Sequence, residues 1–181
     1  MALVPLFDLD GTLIDSDEAL VMPFLTLGIR REDIVFGLPA EQACLEVGIT
    51  IDEYVDTYDT GLAQPFPGAA ELVSSLQRWA VCSNKHPVSG HAELARLGWS
   101  PEVVLFTDSF AGKPKQVGPV LDRLQLDAAD VVFIGDTAHD QRCAHAAGVE
   151  FVWAGWNPRT LAAAPKGRVL THPLELLDLL G

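Results

Sequence analysis

Side chains that can do chemistry recur directly after short apolar runs in this sequence of 181 residues. Such runs are typical of buried strands, and an open parallel sheet binds its ligands where the strands end. One lysine lies instead in a Gly-Lys-Pro loop ahead of a helical stretch. Carboxylates, a hydroxyl and a lysine are therefore expected to converge on one sheet edge. The side chains are Asp8, Asp10, Ser83, Asn84, Lys85, Lys113, Asp136 and Asp140.

The four aspartates predict a metal site. Asp8, Asp10, Asp136 and Asp140 would meet from two strand ends, and such a cluster cannot stay ionised without a compensating cation. Ligation by carboxylate oxygens, with waters and substrate phosphate completing the shell, suits Mg²⁺ better than zinc. Any one aspartate could instead cap a helix or fill a turn, but four at strand ends favour the metal.

The elements that must position these side chains alternate along the chain. Apolar, β-branched or aromatic runs predict strands at residues 3–7, 79–82, 131–134 and 151–154, with 103–106 as a fifth. Apolar residues three or four positions apart predict helices at 69–77, 88–97, 116–124 and 139–147. We therefore expect an α/β fold, with a Rossmann-like three-layer core and a mostly parallel sheet.

One segment interrupts this alternation. Residues 16–65 contain no convincing strand, and their pattern is helical at 17–27, 40–47 and 52–59. The stretch 61–68, GLAQPFPG, has the proline and glycine content of a hinge. The sequence thus predicts a small helical cap, 16–65, inserted after the first strand of a core formed by 1–15 and 66–181. Pro5 conflicts with a central strand, because proline cannot donate to the ladder.

Four signatures together resemble the haloacid dehalogenase superfamily, and within it the phosphoglycolate phosphatase-like hydrolases. They occur in the expected order, each at a strand or helix boundary, and span nearly the whole chain. A lone DxD motif would be a weak signal, whereas the ordered set is specific. The signatures are Asp8-Leu9-Asp10-Gly11-Thr12, then Ser83, then Lys113 in Gly-Lys-Pro, and Gly135-Asp136 followed by Asp140.

The resemblance implies a role for each acidic residue. Asp8 looks like the nucleophile that attacks phosphorus and becomes an aspartyl-phosphate. Asp10 looks like the acid that protonates the leaving oxygen and then the base for water, and its backbone carbonyl would ligate the metal. Asp136 would ligate Mg²⁺ directly, together with Asp8, and Asp140 would lie in its inner or outer shell.

The resemblance also implies a phosphate-binding set. Ser83 and Lys113 look like the hydroxyl and the cation that neutralise the phosphate oxygens, with Thr12 and Asn84 beside them. Thr12 would also help hold the loop that follows the first strand. Each has a simpler explanation: Ser83 as a turn residue, Lys113 as a solvated lysine, and Asn84 as a surface side chain.

The helical segment resembles the family's first type of cap, which closes over the site and selects the leaving group. Arg30 and Arg31 are its cations and could recognise a substrate carboxylate or second phosphate, as could Lys85. Solvated helix-end arginines are the preferred explanation of the pair. The resemblance implies a phosphatase of a small phosphorylated metabolite, of the phosphoglycolate or sugar-phosphate type. Alternatives are a β-phosphoglucomutase-like isomerase and a catalytically inactive binding module on the same scaffold.

Charge and composition exclude several other classes. The chain has 12 Lys and Arg against 25 Asp and Glu, a net charge of −13, and its cations do not cluster. Nucleic acid and anionic membranes are therefore not expected as partners. The 3 cysteines lack the spacing of a zinc site. No apolar run approaches the ~20 residues of a membrane span, and no secretory signal is evident, so a cytoplasmic protein is expected. The sequence does not determine the oligomeric state.

Overall fold

The computed structural model of the protein describes residues 3–34, 38–163 and 165–181. Its strands are β1 (Val4–Phe7), β2 (Ile14–Asp15), β3 (Gln64–Pro65), β4 (Ala80–Cys82), β5 (Val103–Leu105), β6 (Val131–Gly135), β7 (Glu150–Ala154) and β8 (Arg168–Leu170). The main sheet has six strands in the order β5-β4-β1-β6-β7-β8, and every pair is parallel. This confirms the predicted α/β class and its sheet.

Helices cover both faces of the sheet. They are α1 (Asp17–Thr26), α2 (Ala40–Val47), α3 (Ile51–Asp56), α4 (Ala69–Ser75), α5 (Pro87–Leu97), α6 (Gly118–Leu124), α7 (Ala138–Ala146), α8 (Pro158–Ala162) and α9 (Glu175–Leu180). Alternate strand residues point to opposite faces, so Leu6 and Phe7 enter different apolar clusters. Residues of α4, α5 and α9 join the Phe7 cluster, and residues of α6 and α7 join the Leu6 cluster. The core therefore has the expected three layers.

Pro5 lies within β1, the strand between β4 and β6. The backbone N–H of Asp8 donates to Ile134 of β6, so alternation turns the Pro5 nitrogen toward β4. The ladder to β4 begins only at Leu6, opposite Ala80. Pro5 therefore removes no hydrogen bond from the sheet, which resolves the conflict seen in the sequence.

Strand β8 and helix α8 have no counterpart among the elements predicted above. Strand β8 has only three residues at the sheet edge, too few for a recognisable period. Helix α8 did have a local signal: Asn157 caps it by accepting a hydrogen bond from the backbone N–H of Arg159 at 3.0 Å, and Pro158 follows at its first position.

Helices α1, α2 and α3 pack around an apolar cluster of their own, which includes Val21, Phe24, Cys44 and Tyr54. Strands β2 and β3 pair antiparallel at the two ends of this helical segment. The chain therefore leaves the core and returns to it at one place, in accordance with an insert after the first strand. The exact boundaries, 16 and 65, stay a prediction. Within the described residues, none of the helices combines the length and apolar character that crossing a bilayer requires.

Candidate active site

Three of the four aspartates meet at the carboxyl edge of the sheet. Asp8 directly follows β1 and Asp136 directly follows its neighbour β6, while Asp140 lies in the first turn of α7. Each contributes a carboxylate oxygen to a group whose members all lie within 4.8 Å of one another. Because β1 and β6 are hydrogen-bonded neighbours, residues more than 120 positions apart in the sequence become adjacent.

The turn after β1 is shaped by Gly11. Its φ is +76°, a region that favours glycine, and its N–H donates to the carbonyl of Ile14 at 2.8 Å. A Cβ at Gly11 would collide with the carboxylate of Asp136. The glycine therefore allows the turn to pass directly beneath the acidic cluster.

Thr12 does not line the cavity beside this cluster, contrary to its expected part in phosphate binding. Its side chain is buried, and its hydroxyl donates to Asp136 Oδ1 at 3.4 Å. The Thr12 carbonyl accepts a hydrogen bond from the indole N–H of Trp156 at 2.7 Å. Thr12 therefore orients Asp136 and anchors the turn, because its hydroxyl points down into the protein.

The lysine in the cluster is Lys115, and the prediction of Lys113 was wrong. Lys113 is exposed, on a loop that bulges outward through the positive φ angles of Ala111 (50°) and Gly112 (75°). Lys115 is 4% exposed, and its Nζ lies 2.8 Å from Asp8 Oδ1 and also pairs with Asp140. The sequence offers both lysines in Lys-Pro-Lys, and only the turn geometry decides which one points inward.

Ser83 and Asn84 follow β4, next to β1 in the sheet, and both line the cavity, as expected. Ser83 is buried. The side-chain oxygen of Asn84 accepts a hydrogen bond from the backbone N–H of Lys115 at 2.8 Å. Asn84 thus fixes the backbone that carries the buried lysine.

Lys85 is buried rather than exposed to solvent. Its Nζ lies 2.7 Å from Asp10 Oδ1 and 3.1 Å from Glu93 Oε2, and it donates to the Tyr58 hydroxyl at 2.9 Å. Tyr58 in turn donates to Glu93 at 2.6 Å. This network holds the Asp10 side chain in place, so Lys85 positions a residue of the site. Lys85 also lines the cavity.

Burial changes the electrostatics of the aspartates. Burial raises the pKa of Asp8 to about 6 against the lowering effect of Lys115. Burial, followed by the charges of Asp8 and Asp140, raises the pKa of Asp136 to about 8. Burial alone would lower the pKa of Lys115, but Asp140 and Asp8 raise it well above its ordinary value. The cluster therefore holds more negative charge than its single lysine compensates.

Arg30 and Arg31 are not among the residues that line the cavity, which agrees with their interpretation as solvated arginines. Their side chains are 69% and 53% exposed. Arg30 pairs with Asp33 at 2.8 Å, and Arg31 pairs with Glu18 at 3.0 Å. Both guanidinium groups therefore serve as solvated partners of nearby carboxylates.

A cavity of about 480 Å³ lies above the acidic cluster. Asp8, Asp10, Lys115 and Asp136 line its core side, and residues of the helical insert line the opposite side. A buried carboxylate beside a lysine, at the base of a cavity that the insert walls on one side, can attack an electrophile where bulk water has limited access.

The family model for haloacid dehalogenase-like hydrolases matches residues 5–154 of this chain. The chain belongs to this family. A phosphoglycolate phosphatase of Xanthomonas campestris pv. campestris is 28% identical, and the alignment covers 85% of this chain and 83% of that protein. An N-acetylmuramic acid 6-phosphate phosphatase of Pseudomonas aeruginosa is 25% identical, with 97% and 93% covered.

Solved structures of the family share the fold. A haloacid dehalogenase-like hydrolase from Streptococcus pneumoniae aligns with a TM-score of 0.72 at 22% identity, covering 99% of both chains. At this identity the likeness concerns the fold alone.

Besides Lys115 and the partners of Lys85, sequence reasoning missed three further residues at this site. His139 and Arg159 line the cavity, and Arg159 pairs with Asp17 at 2.7 Å. Asn157 is buried, and its amide donates to the Gly11 carbonyl at 2.8 Å and to Asp136 Oδ2 at 3.3 Å. The helix-start signal Asn-Pro could have identified Asn157 as a cap, but nothing local indicates its contact with the first turn.

Asn157→Ala is expected to lower the free energy of unfolding by about 1–3 kcal/mol, because a buried carbonyl and a helix N-terminus both lose their partner. Asn157→Ser keeps a capping hydroxyl that is too short to reach Gly11, and should restore about 1 kcal/mol. Urea unfolding of the three proteins measures both effects. Equal stability of all three would show that these hydrogen bonds do not hold the turn.

Proposed function

We propose that the protein is a Mg²⁺-dependent phosphatase that hydrolyses a small phosphorylated metabolite through an aspartyl-phosphate on Asp8. The observation that carries the proposal is the buried cluster of Asp8, Asp136 and Asp140 around Lys115, at the carboxyl edge of the sheet. Membership of a hydrolase family and relatives named as phosphatases support it. The substrate of the phosphoglycolate or sugar-phosphate type remains part of the proposal.

In the first step, a carboxylate oxygen of Asp8 attacks phosphorus and the bond from phosphorus to the ester oxygen breaks. Asp10, two residues on, gives its proton to the leaving oxygen, so that a neutral alcohol departs. Lys85 and its partners Glu93 and Tyr58 hold the Asp10 side chain in place. The products of this step are the aspartyl-phosphate on Asp8, an acyl phosphate, and the free alcohol.

In the second step, Asp10 takes a proton from water while the water oxygen attacks phosphorus. The bond between phosphorus and Asp8 breaks, and inorganic phosphate leaves with Asp8 regenerated. One residue thus acts as acid and then as base, which the position of Asp10 beside both the cavity and Asp8 permits. Two displacements replace one difficult hydrolysis.

Lys115 and Ser83 are proposed to bind the transferring phosphoryl group. Lys115 is charged, and its Nζ lies 2.8 Å from Oδ1 of Asp8, the carboxylate that attacks phosphorus. Ser83 is buried beside the cavity. Fixed donors aimed at developing charge in a water-poor site stabilise a transition state more strongly than they would in bulk water.

The residues present fit a divalent cation. Asp8 and Asp140 share Lys115, and Asp136 lies 4.0 Å from Arg159. Burial, followed by the charges of Asp8 and Asp140, raises the pKa of Asp136 to about 8, and a cation between these carboxylates would relieve that repulsion. Asp8 and Asp136, with the backbone carbonyl of Asp10, would hold Mg²⁺. Asp140 uses one oxygen on Lys115 and the other on Thr137, which favours an outer position for it. Bound Mg²⁺ would reduce repulsion between Asp8 and the phosphate dianion.

The helical insert, residues 16–65, is proposed to act as the cap of this site. It supplies one wall of the cavity through α1, α2 and α3. Two hydrogen bonds join the insert to the core. Tyr58 of the insert donates to Glu93 of the core at 2.6 Å, and Thr107 of the core donates to Glu41 of the insert at 2.8 Å. A cap in this position excludes water from the phosphoenzyme until the alcohol has left.

Phosphate release tests the proposed function. The panel is phosphoglycolate, sugar phosphates and nucleotides, each assayed with Mg²⁺ and with a chelator. We expect Mg²⁺-dependent release from at least one monoester and none with the chelator. Interconversion of sugar phosphates without release would indicate a mutase, and no turnover of any compound would contradict the proposal.

The metal-free protein is expected to lose stability as the pH rises from about 4 to about 8. The pKa values of Asp8 and Asp136 are raised above the ordinary 3.8, so the native state holds protons that the unfolded state has released across this window. Mg²⁺ should raise the melting temperature most at pH 8, by several degrees at saturating concentration. Thermal unfolding at pH 5, 6.5 and 8, with Mg²⁺ or chelator, measures both effects.

Asp136→Asn is the control for this prediction. It removes the carboxylate whose pKa is raised further. The difference in stability between wild type and variant at each pH is therefore the contribution of Asp136 alone. We expect a weaker decline toward pH 8 and little response to Mg²⁺. An unchanged Mg²⁺ response in the variant would exclude Asp136 as a ligand.

A further inference from the structure

We propose that the phosphomonoester turned over by this protein carries an uncharged, largely apolar leaving group, such as an alkyl or aryl alcohol. The proposal rests on the phosphatase function above but departs from its substrate type, because glycolate carries a carboxylate and a sugar is polar. It concerns the part of the cavity that does not contact the phosphoryl group. In that part of the cavity, the insert would contact the leaving group of the substrate.

The insert presents an apolar wall to the cavity. Leu20 and Phe24 from α1, Ile34, Leu38, Ala43 from α2 and Tyr54 from α3 form it. The Tyr54 hydroxyl is directed to the carbonyl of Leu20 at 3.1 Å, so it is satisfied within the insert. What remains toward the cavity is carbon surface, which favours a carbon skeleton and offers no partner to a second anionic group.

Charge on the insert works in the same direction. Residues 16–65 contain ten Asp and Glu against two Arg, and both arginines are exposed and paired away from the cavity. Among the insert residues that the structure describes, Asp17 is the charged side chain that lines the cavity. A carboxylate or second phosphate on the leaving group would therefore meet like charge and an apolar wall.

The cations on the core side already have partners. Lys115 pairs with Asp8 and Asp140, and Lys85 pairs with Asp10 and Glu93. Arg159, at the cavity mouth, pairs with Asp17 at 2.7 Å. One phosphoryl group can be accommodated beside Lys115. A second anion would have to compete with the buried partners of Lys85 and Lys115, or with Asp17 and Asp136 for the half-exposed Arg159.

Two isosteric substrates test the proposal. 4-Methylpentyl phosphate and 4-phosphooxybutanoate have the same branched shape and similar leaving alcohols, but one ends in two methyl groups and the other in a carboxylate. We expect kcat/KM to be at least about tenfold higher for the methyl compound, because its end is buried against carbon and the carboxylate end would lose water without gaining a partner.

A pair of variants on the insert locates the preference. Leu20→Arg puts a cation on the cavity wall and should shift the ratio of the two kcat/KM values toward the carboxylate by about tenfold. Leu45→Arg makes the same change at a side chain that is 77% exposed on α2 and should leave the ratio unchanged. Circular dichroism and p-nitrophenyl phosphate turnover confirm that both variants fold and react.

The outcomes distinguish failure of the apolar leaving group from failure of the proposed phosphatase function. Equal or faster turnover of the carboxylate substrate by the wild type would overturn the apolar leaving group while leaving the phosphatase intact. Equal shifts in Leu20→Arg and Leu45→Arg would overturn the role of the cavity wall. Failure to release phosphate from any monoester, p-nitrophenyl phosphate included, would overturn the phosphatase and with it this inference.

Discussion

Asp8→Asn is expected to lower kcat by about 10⁴-fold or more, because the residue that attacks phosphorus is removed. Asparagine has nearly the same volume, so the buried position stays filled, but its amide cannot attack phosphorus. The loss of one carboxylate also relieves repulsion from Asp136 and Asp140, which should keep the variant folded. Phosphate release, measured with the preferred monoester and Mg²⁺, gives the size of the effect.

Asp122→Asn is the matched control, because Asp122 is exposed on α6 and has the same side chain. Its activity should equal that of the wild type. Trapping with beryllofluoride provides a second readout, since a phosphoryl mimic should attach to the wild type and to Asp122→Asn but not to Asp8→Asn. Full turnover by Asp8→Asn would end the proposed mechanism.

Lys115→Met is expected to lower kcat/KM by about 10³-fold, because the transferring phosphoryl group loses its buried cation. The same change leaves Asp8 and Asp140 without their partner, and breaking a buried ion pair in this way costs on the order of 3–5 kcal/mol of stability. Kinetics and thermal unfolding are therefore measured on the same preparation. A variant that is folded by circular dichroism and nearly inactive would fulfil the prediction.

Lys113→Met removes the same charge from the same loop two residues earlier, at an exposed side chain. Its kcat/KM should stay within about twofold of the wild type, since its distant charge is screened by water and salt. The comparison decides between the two lysines of Lys-Pro-Lys. A greater loss of activity in Lys113→Met than in Lys115→Met would show that the loop is arranged differently during the reaction.

Much of the fold could be read from local patterns. The apolar run 131–134 and the helical spacing of 139–147 predict β6 and α7 because burial of a strand or of one helix face imposes its own period on the sequence. Short edge elements such as β8 have no such period. The family resemblance, over residues 5–154, and the sheet class were confirmed, while the exact cap boundaries stay a prediction.

The acidic part of the site could also be predicted from the sequence. Asp8 and Asp136 stand immediately after strands, and parallel neighbours must end at the same edge of the sheet. Their meeting therefore follows from the order of elements and one strand pairing. The same reasoning could not assign Asp140 to the lysine side of the cluster, since that depends on the Thr137 cap at the start of α7.

The sequence by itself determined the order of strands and helices, the aspartates at the strand ends and the acidic character of the insert. Only the tertiary structure decided that Lys115 rather than Lys113 points inward, that Arg30 and Arg31 face solvent, and that Asn157 supports the first turn. Periodicity fixes which face of a regular element is buried. The direction of a side chain in a loop depends on turn angles and on partners far along the chain, and no local pattern records those.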